Sequence, residues 1–262
     1  MRRLATCVIA AALTIWGQSA SAIELAAHRA EYKLTLSDQH GGGDVSSGSG
    51  TMFYEVTDAC EGWAVRQRLV LHLVNHDGQD INMISDYTTY ETKDGRKLQF
   101  RMKQTTDQSV TSEVAGEATI DHPGGPGIVS YTLPEPTTKP LPAGVLFPTA
   151  HTVAILEAAE AGKKFLALPL FDGTSADGAQ DSSIVINGWN QPAKTEFAPL
   201  AVLPSGHFHI AFFDRDDQAQ QPDYEVSMRY WSNGIADGLI MDFGDFAMDG
   251  KLDKLTVMKP GC

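Results

Sequence analysis

The chain has 262 residues, of which 42% are hydrophobic, and it carries a formal net charge of −13. Such an acidic surface repels the phosphates of nucleic acids and the head groups of anionic lipids, so nucleic acid is not expected as a partner. The hydrophobic content, together with the many glycines and prolines that interrupt the chain, predicts a globular chain and excludes an intrinsically disordered one.

The first 22 residues have the three parts of a secretory signal peptide. A basic start, Met1–Arg3, precedes an apolar stretch, Leu4–Trp16, and Ala20–Ala22 offers a small-residue cleavage site. The apolar stretch is shorter than the ~20 residues that a helix needs to cross a bilayer. We therefore expect cleavage after Ala22 and a periplasmic location. The remaining residues, 23–262, are expected to form one domain that does not span the membrane.

Two cysteines, Cys60 and Cys262, remain once the signal peptide is removed. Thiols of exported proteins normally pair because their compartment is oxidising, so a Cys60–Cys262 disulfide is predicted. In the chain-entropy description, a bridge that closes a loop of about 200 residues stabilises by roughly 5 kcal/mol, as an upper figure. Because the chain has no Cys-x-x-Cys sequence, we interpret the bridge as structural and not as a redox centre.

Apolar and polar residues alternate with a period of two along much of the chain. The clearest segments are Ala30–Leu36, Met52–Val56, Val65–Leu73, Leu98–Met102 and Tyr224–Tyr230. One apolar face and one polar face in each segment are typical of antiparallel strands with one side in water.

Four dipeptides with the composition of tight hairpin turns are spread along the same part of the chain: Asp77-Gly78, Asp94-Gly95, Asn233-Gly234 and Asp249-Gly250. The glycine-rich residues Gly41–Gly43 and Ser47–Gly50 are interpreted as a flexible hairpin tip, and the prolines of Pro134–Pro142 predict a rigid loop. Many strands joined by short turns predict an all-β protein, a large antiparallel sheet that curls into a barrel or a sandwich.

One segment, Pro148–Ala161, has the pattern of a helix. It has a proline near its start and an alanine-rich body, and Gly162 and two lysines follow its end. We expect this helix to plug or cover an open end of the sheet.

His207 and His209 are the strongest candidates for metal ligands. Residues i and i+2 of a strand share a face, so both imidazoles could reach one ion. The alternative is that they are polar residues on the wet face, opposite Phe208. Because the spacing indicates no third ligand, we interpret them as solvent-facing and expect no metal site and no cofactor.

Two further segments superficially resemble functional sites. Asp172–Gly178 looks like half a calcium loop, but it lacks the acidic spacing and the closing glutamate of an EF-hand, so we interpret it as a polar loop. Ser205 has no Gly-x-Ser-x-Gly elbow around it and is not expected to be a nucleophile. No catalytic residue is predicted, and we expect a protein that is not an enzyme.

The apolar faces carry many large side chains, and two interpretations stay open. They form an ordinary core, or a curved sheet wide enough to hold an apolar ligand, as in lipocalin-like barrels. The aromatic residues concerned are Phe53, Phe100, Phe212, Phe213, Phe243, Phe246, Trp63, Trp189 and Trp231.

Several segments of the chain together resemble the EipB family of periplasmic cell-envelope integrity proteins, formerly a domain of unknown function. They are Asp58–Trp63, Tyr90–Gly95, Leu98–Phe100, Leu141–Thr152, Leu170–Gly173 and Cys262. The resemblance implies a many-stranded antiparallel β-spiral, an incomplete barrel with one associated helix. It also implies a disulfide at Cys60 and Cys262, and a role in maintaining the envelope under stress.

Two functional hypotheses follow. The first is a non-enzymatic periplasmic protein that supports envelope integrity and stress resistance through contacts with a protein of the envelope or periplasm. The alternative is a carrier of a lipid, an acyl chain or a lipoprotein on the apolar concave face of the sheet. A continuous internal cavity would favour the carrier, and a filled core with an exposed apolar groove would favour the interaction protein.

Overall fold

The computed structural model describes residues 23–39, 43–190, 193–215 and 221–262. The predicted signal peptide, residues 1–22, and part of the glycine run at 41–43 therefore lie outside the described residues. The described part of the chain contains fourteen β-strands and one α-helix.

The strands vary from five to fourteen residues in length. In chain order the elements are β1 (His28–Gln39), β2 (Val45–Asp58), β3 (Gly62–Asn75), β4 (Asp80–Thr92), β5 (Lys97–Thr106), β6 (Ser109–Ile120), β7 (Gly127–Leu133), β8 (Thr137–Leu141), α1 (Pro148–Glu160), β9 (Phe165–Leu170), β10 (Gln180–Asn187), β11 (Ser205–Asp214), β12 (Tyr224–Trp231), β13 (Ala236–Asp242) and β14 (Phe246–Val257).

All of these strands belong to one antiparallel sheet made of two meanders. Strands β1 to β8 follow one another across the sheet in chain order, and so do β9 to β14 on the other side of β1. The two meanders join where β14 pairs with β1, with His28 opposite Val257. Because β8 and β9 stand at the two ends of the order, the sheet of the described residues is an open, incomplete barrel, as predicted.

The segment between β8 and α1 bridges the gap between the two edge strands. The backbone N–H of Leu146 donates to the carbonyl of Pro169 at 2.9 Å, and the N–H of Phe171 donates to the carbonyl of Leu146 at 2.9 Å. Leu146 thereby forms a short parallel bridge to Leu170 at the end of β9. The connection therefore covers the opening that the sheet leaves.

Buried side chains form two clusters inside the curved sheet. The larger cluster joins the apolar face of α1, at Ile155 and Leu156, to strands of both meanders. The smaller one lies under β5 to β8 and has a group of aromatic rings: Phe171 packs edge-to-face on Phe100, with ring centroids 5.3 Å apart, and on Phe147. Such edge-to-face pairs are favourable because the positive ring edge meets a negative ring face.

The helix begins and ends close to where the sequence predicts. Pro148 is its first residue, where a missing N–H costs nothing. At the other end Gly162 adopts a positive φ of 75°, its N–H donates to the carbonyl of Ala159, and the N–H of Lys163 donates to that of Ala158. These two bonds are those of the Schellman motif, which explains why the helix ends at Glu160.

Three of the four predicted turn dipeptides lie between consecutive strands, but Asp249-Gly250 does not. Gly250 lies inside β14, between Leu34 of β1 and Leu239 of β13. A Cβ at this position would be 3.0 Å from the Cβ of Leu239 and 3.1 Å from a methyl of Leu34. The glycine therefore permits close packing across the strands and does not form a turn.

Two predicted loops are partly strand. Thr137–Leu141 of the predicted proline loop forms β8, and Pro140 is tolerated there because β8 is an edge strand. Ser47–Gly50 lies inside β2 and pairs with β3. A Cβ at Gly50 would collide with the backbone carbonyl oxygen of Val70, so the close approach of the neighbouring strand accounts for this glycine.

Candidate functional site

A cavity of about 390 Å³ lies inside the curved sheet, next to the N-terminal end of α1. Its volume falls in the range of roughly 300–1,000 Å³ that is usual for small-molecule sites. The walls come from β1 to β5 on one side and β11 to β13 on the other, with the first turn of α1 and the residues after β9 closing one side.

Five tyrosines line this cavity: Tyr32, Tyr54, Tyr87, Tyr224 and Tyr230. Each lies on the inward face of its strand because of the period-two alternation of strand side chains. Tyr224 and Tyr230, for example, share their face with Met228, which is buried. Tyrosine combines an apolar ring with a polar tip, so this lining presents both hydrocarbon and hydroxyl surface.

The nine phenylalanine and tryptophan residues of the apolar faces had two open interpretations, an ordinary core or the lining of a ligand space. Of these nine, Phe212 lines the cavity. Trp189 and Trp231, by contrast, are in the filled part of the core. The sequence does contain a signal for the observed lining that was not used: the inward positions of the alternating segments include tyrosines, such as Tyr32 and Tyr224.

One wall carries a group of neutral polar side chains, which we call the uncharged polar patch: Tyr54, Gln67, Ser85, Tyr87 and Thr89. The sheet register brings them together, because Gln67 of β3 stands opposite both Tyr54 of β2 and Tyr87 of β4. Ser85 and Thr89 flank Tyr87 on the same face of β4. Among the described residues, the side chains of Gln67 and Ser85 have no hydrogen-bond partner.

The opposite wall is predominantly apolar. Val226 and Met228 of β12 and Leu239 and Met241 of β13 face the cavity there. At one end of this wall the rings of Phe212 and Tyr224 stack, with centroids 5.9 Å apart and planes 21° apart. The cavity therefore has one wall that carries a polar patch and one that is mostly hydrocarbon, an arrangement that suits an amphiphile.

The first turn of α1 is held in place by Glu91 of β4. The Glu91 carboxylate accepts hydrogen bonds from the backbone N–H groups of Thr149, at 2.7 Å, and Ala150, at 2.8 Å. The residue before the helix, Phe147, has no side-chain acceptor for these groups. Burial raises the pKa of Glu91 to about 7, although the two N–H donors act in the opposite direction.

His151 and Ser182 form a buried pair that could be mistaken for a catalytic dyad. His151 Nε2 lies 2.8 Å from Ser182 Oγ, and that hydroxyl donates to the carbonyl of Leu168 at 2.8 Å. Because the hydroxyl proton is directed at Leu168, His151 Nε2 must carry the proton and cannot act as a base toward Ser182. Burial lowers the pKa of His151 to about 4, so the ring is neutral. The pair is therefore suited to a structural role, linking α1 to β10 and β9, and not to proton abstraction.

Asp172 reaches the cavity from the loop after β9. Its carboxylate accepts hydrogen bonds from the N–H and hydroxyl of Thr174, at 3.0 and 2.8 Å, and from Gln180 Nε2 at 2.9 Å. Its backbone carbonyl accepts the hydroxyl of Tyr87. Burial raises the pKa of the Asp172 carboxyl. Both of its oxygens already have donors from its own loop and from β10, as expected of a polar loop that is fixed in place.

The histidines predicted to face solvent lie outside the cavity. His207 is exposed on β11 beside the guanidinium of Arg229, while Phe208 on the opposite face is buried. His209 lies 2.9 Å from the hydroxyl of Ser227. Ser205 is buried and accepts a hydrogen bond from Arg229. Within the residues that the structure describes, no group of three or more His, Cys, Asp or Glu side chains could hold a metal ion.

The structure places Cys60 and Cys262 in a disulfide, with Cα atoms 5.6 Å apart. Cys60 is in the turn between β2 and β3, and Cys262 is the last residue. The bridge therefore fastens the end of the chain to the hairpin beside β1. Its formation in the cell stays a prediction. No helix of the described residues is long and apolar enough to cross a membrane.

Comparison with known proteins shows the family. The family described as EipB-like matches residues 19–259 of this chain. The chain belongs to the EipB-like family. It is 32% identical over 275 residues to the cell envelope integrity protein EipB of Brucella abortus (strain 2308), a match that covers 99% of this chain and 96% of that protein.

A solved structure has the same fold as this EipB-like chain. It is the crystal structure of a beta-barrel-like protein of a domain of unknown function from Brucella abortus. The two superpose with a TM-score of 0.83 and 30% identity, over 91% of this chain and 100% of that chain. The resemblance predicted from sequence is therefore confirmed.

Three of the segments that carry the EipB-like resemblance meet at one side of the cavity. Tyr90–Gly95 contains Glu91, and Leu141–Thr152 contains the helix start that Glu91 holds. Leu170–Gly173 contains Asp172, which lines the cavity. The sequence did not reveal that these segments are neighbours in space.

Proposed function

We propose that this protein supports the integrity of the cell envelope as a non-enzymatic carrier that holds the acyl part of an amphiphilic molecule in the tyrosine-lined cavity. The observation that carries the proposal is the cavity itself, with one predominantly hydrocarbon wall and a patch of neutral polar groups on the other wall. A continuous internal cavity is the feature that separates a carrier from a protein that acts only through its outer surface.

The envelope role is supported by the EipB-like family and by the name of the Brucella relative, a cell envelope integrity protein. The predicted signal peptide, with cleavage after Ala22, supports a periplasmic location. A carrier in that compartment would take up a lipid, an acyl chain or the acyl part of a lipoprotein and keep it from water. Loss of such a carrier would weaken the envelope under stress.

A non-enzymatic role is supported by the way the reactive side chains are engaged. The proton of Ser182 is directed at a backbone carbonyl, and the Asp172 carboxylate accepts hydrogen bonds from Thr174 and Gln180. Neither arrangement leaves a base or a nucleophile aimed into the cavity, which general acid–base or covalent catalysis would need.

Native mass spectrometry of the protein purified from its own periplasm tests the proposal. We expect a bound mass in the wild type and its loss in Val226→Trp, which fills the apolar wall of the cavity. The matched control is Ile240→Trp, because Ile240 is 46% exposed on the adjacent strand and faces outward.

The same two variants test the cellular role. Cells that lack the gene should become sensitive to detergents or to cell-wall antibiotics. Ile240→Trp should restore resistance and Val226→Trp should not, at equal protein levels and equal melting temperatures. A wild type without any bound mass, together with full complementation by Val226→Trp, would show that the cavity is not used.

A further inference from the structure

The side chains that line the cavity can form hydrogen bonds, but very few of them are charged. Among the described residues that line it there is no lysine or arginine, and Asp172 supplies the one carboxyl group. That carboxylate accepts hydrogen bonds from Thr174 and Gln180. The two histidines of the lining, His28 and His151, both have a lowered pKa because of burial, so they carry no positive charge at neutral pH.

An anionic head group would therefore enter the cavity without a partner of opposite sign. Transfer of an unpaired charge from water into a largely apolar site is strongly unfavourable. The protein as a whole carries a net charge of −13, which adds repulsion of anions before they reach the site. A phosphate or carboxylate on the ligand is thus disfavoured both at the surface and inside.

The uncharged polar patch provides what a neutral head group needs. The amide of Gln67 and the hydroxyls of Tyr54, Ser85 and Thr89 face the cavity side by side on three paired strands. Among the described residues, neither Gln67 nor Tyr54 has a hydrogen-bond partner, so an amide and a hydroxyl are available to a ligand. These half-buried polar groups can form hydrogen bonds with the head group of a bound molecule in place of water.

We propose that the ligand is a single-chain amphiphile with an uncharged head group that bears hydroxyl or amide functions, with the head on the uncharged polar patch and the hydrocarbon chain along the apolar wall of β12 and β13. This inference rests on the proposed carrier function and adds the chemical class of the cargo. A volume of about 390 Å³ is near the lower end of the usual range for ligand sites, which favours one chain over two.

Calorimetric titration of the delipidated mature protein tests this inference with two matched probes. They are 1-myristoylglycerol and 1-myristoyl-lysophosphatidate, which share one chain and differ in the charge of the head group, each used below its critical micelle concentration. We expect the uncharged probe to bind at least tenfold more tightly. Gln67→Leu should weaken its binding about fivefold or more.

The control for the patch is Gln99→Leu, because Gln99 is exposed on the outer face of β5 and should leave binding unchanged. Ser85→Ala is a second variant of the patch in case Gln67→Leu does not fold.

If neither probe binds, the proposed carrier function is wrong and this inference fails with it. If lysophosphatidate binds as tightly as the glycerol probe, the carrier stands and the uncharged cargo is wrong. A preference that Gln67→Leu and Ser85→Ala leave unchanged would overturn the position of the head group.

Discussion

Glu91 of β4 caps a helix that begins 57 residues later in the chain: its carboxylate accepts the backbone N–H of Thr149 at a distance of 2.7 Å. The N-terminal end of a helix carries partial positive charge and unsatisfied N–H groups, so a carboxylate there is stabilising. In most helices the preceding residue provides this acceptor. Here Phe147 cannot, and the sheet provides it instead.

Removal of this cap should destabilise the protein. Glu91→Ala leaves two backbone N–H groups without their acceptor, and each such loss costs about 1–3 kcal/mol when the group is buried. Glu91→Gln keeps one acceptor oxygen and should cost less. Denaturant unfolding measures both. Glu157→Ala, on the exposed side of the same helix, is the control and should change the free energy of unfolding by less than either. Equal stability of Glu91→Ala and wild type would show that the cap contributes nothing.

The raised pKa of Glu91 predicts a specific dependence of stability on pH. The folded-state pKa of about 7 exceeds the ordinary value of 4.5, so the folded protein holds an extra proton between these two values. The contribution of this group is therefore full below about pH 4.5 and is lost as the pH rises through 7. Relative to Glu91→Gln, the wild type should gain about 2 kcal/mol between pH 7 and pH 5.

The pKa of His151 is shifted in the opposite direction, so its contribution to stability changes with pH in the opposite sense. For this reason the effect of Glu91 is measured as a difference between the wild type and Glu91→Gln. The pKa of His151 is lowered from 6.5 to about 4, so its contribution to stability is lost as the pH falls through this interval. Both proteins of the Glu91 comparison contain His151, and its effect cancels in their difference. A difference between wild type and Glu91→Gln that stays constant from pH 7 to pH 5 would contradict the raised pKa.

The disulfide is expected in protein taken from the periplasm. Non-reducing peptide mapping should recover Cys60 linked to Cys262, and free thiols at both positions would refute the pairing. Cys60→Ser should lower the melting temperature, because the bridge closes a loop across 202 residues in the unfolded chain. The upper figure for such a loop is about 5 kcal/mol. A reduced sample of the wild type should melt like Cys60→Ser.

Alanine substitutions of the outer-face histidines should leave function intact. His207→Ala and His209→Ala each remove hydrogen bonds on the solvent side of β11, worth about 1 kcal/mol at most. We expect both variants to complement a deletion strain at normal protein levels. A variant that fails to complement while its melting curve is unchanged would reveal a direct role for that histidine and would overturn the solvent-facing interpretation.

Local patterns predicted most strands but not how they assemble. Alternation specifies which side chains share a face, and the helix has clear signals at both ends, so these elements could be read from the chain. The pairing of β14 with β1 depends on contacts between residues as far apart as His28 and Val257, and no local pattern encodes it. Local patterns also could not show why Gly250 is a glycine, because its neighbours Leu34 and Leu239 lie in other strands.

The cavity could not be predicted because a side chain on the inward face of a strand can either pack into the core or line a cavity. Leu34 and Tyr32 lie on the inward face of the same strand, β1, yet Leu34 is packed in the filled core whereas Tyr32 lines the cavity. The difference depends on how far away the opposite wall lies, which the curvature of the whole sheet determines. Likewise, Glu91 and Thr149 become neighbours only when the connection after β8 crosses the opening.

The junction of β1 with β14 has a consequence for how the chain reaches its native state. Each meander consists of hairpins between consecutive strands, which can form early because their residues are close along the chain. The junction between the meanders cannot form before the last strand, β14, is available to pair with β1. Until then β1 and β13 each expose a row of unpaired backbone groups, the kind of edge on which strands of other molecules add. Folding molecules are thus most prone to aggregate in the interval just before residues 246–257 become available.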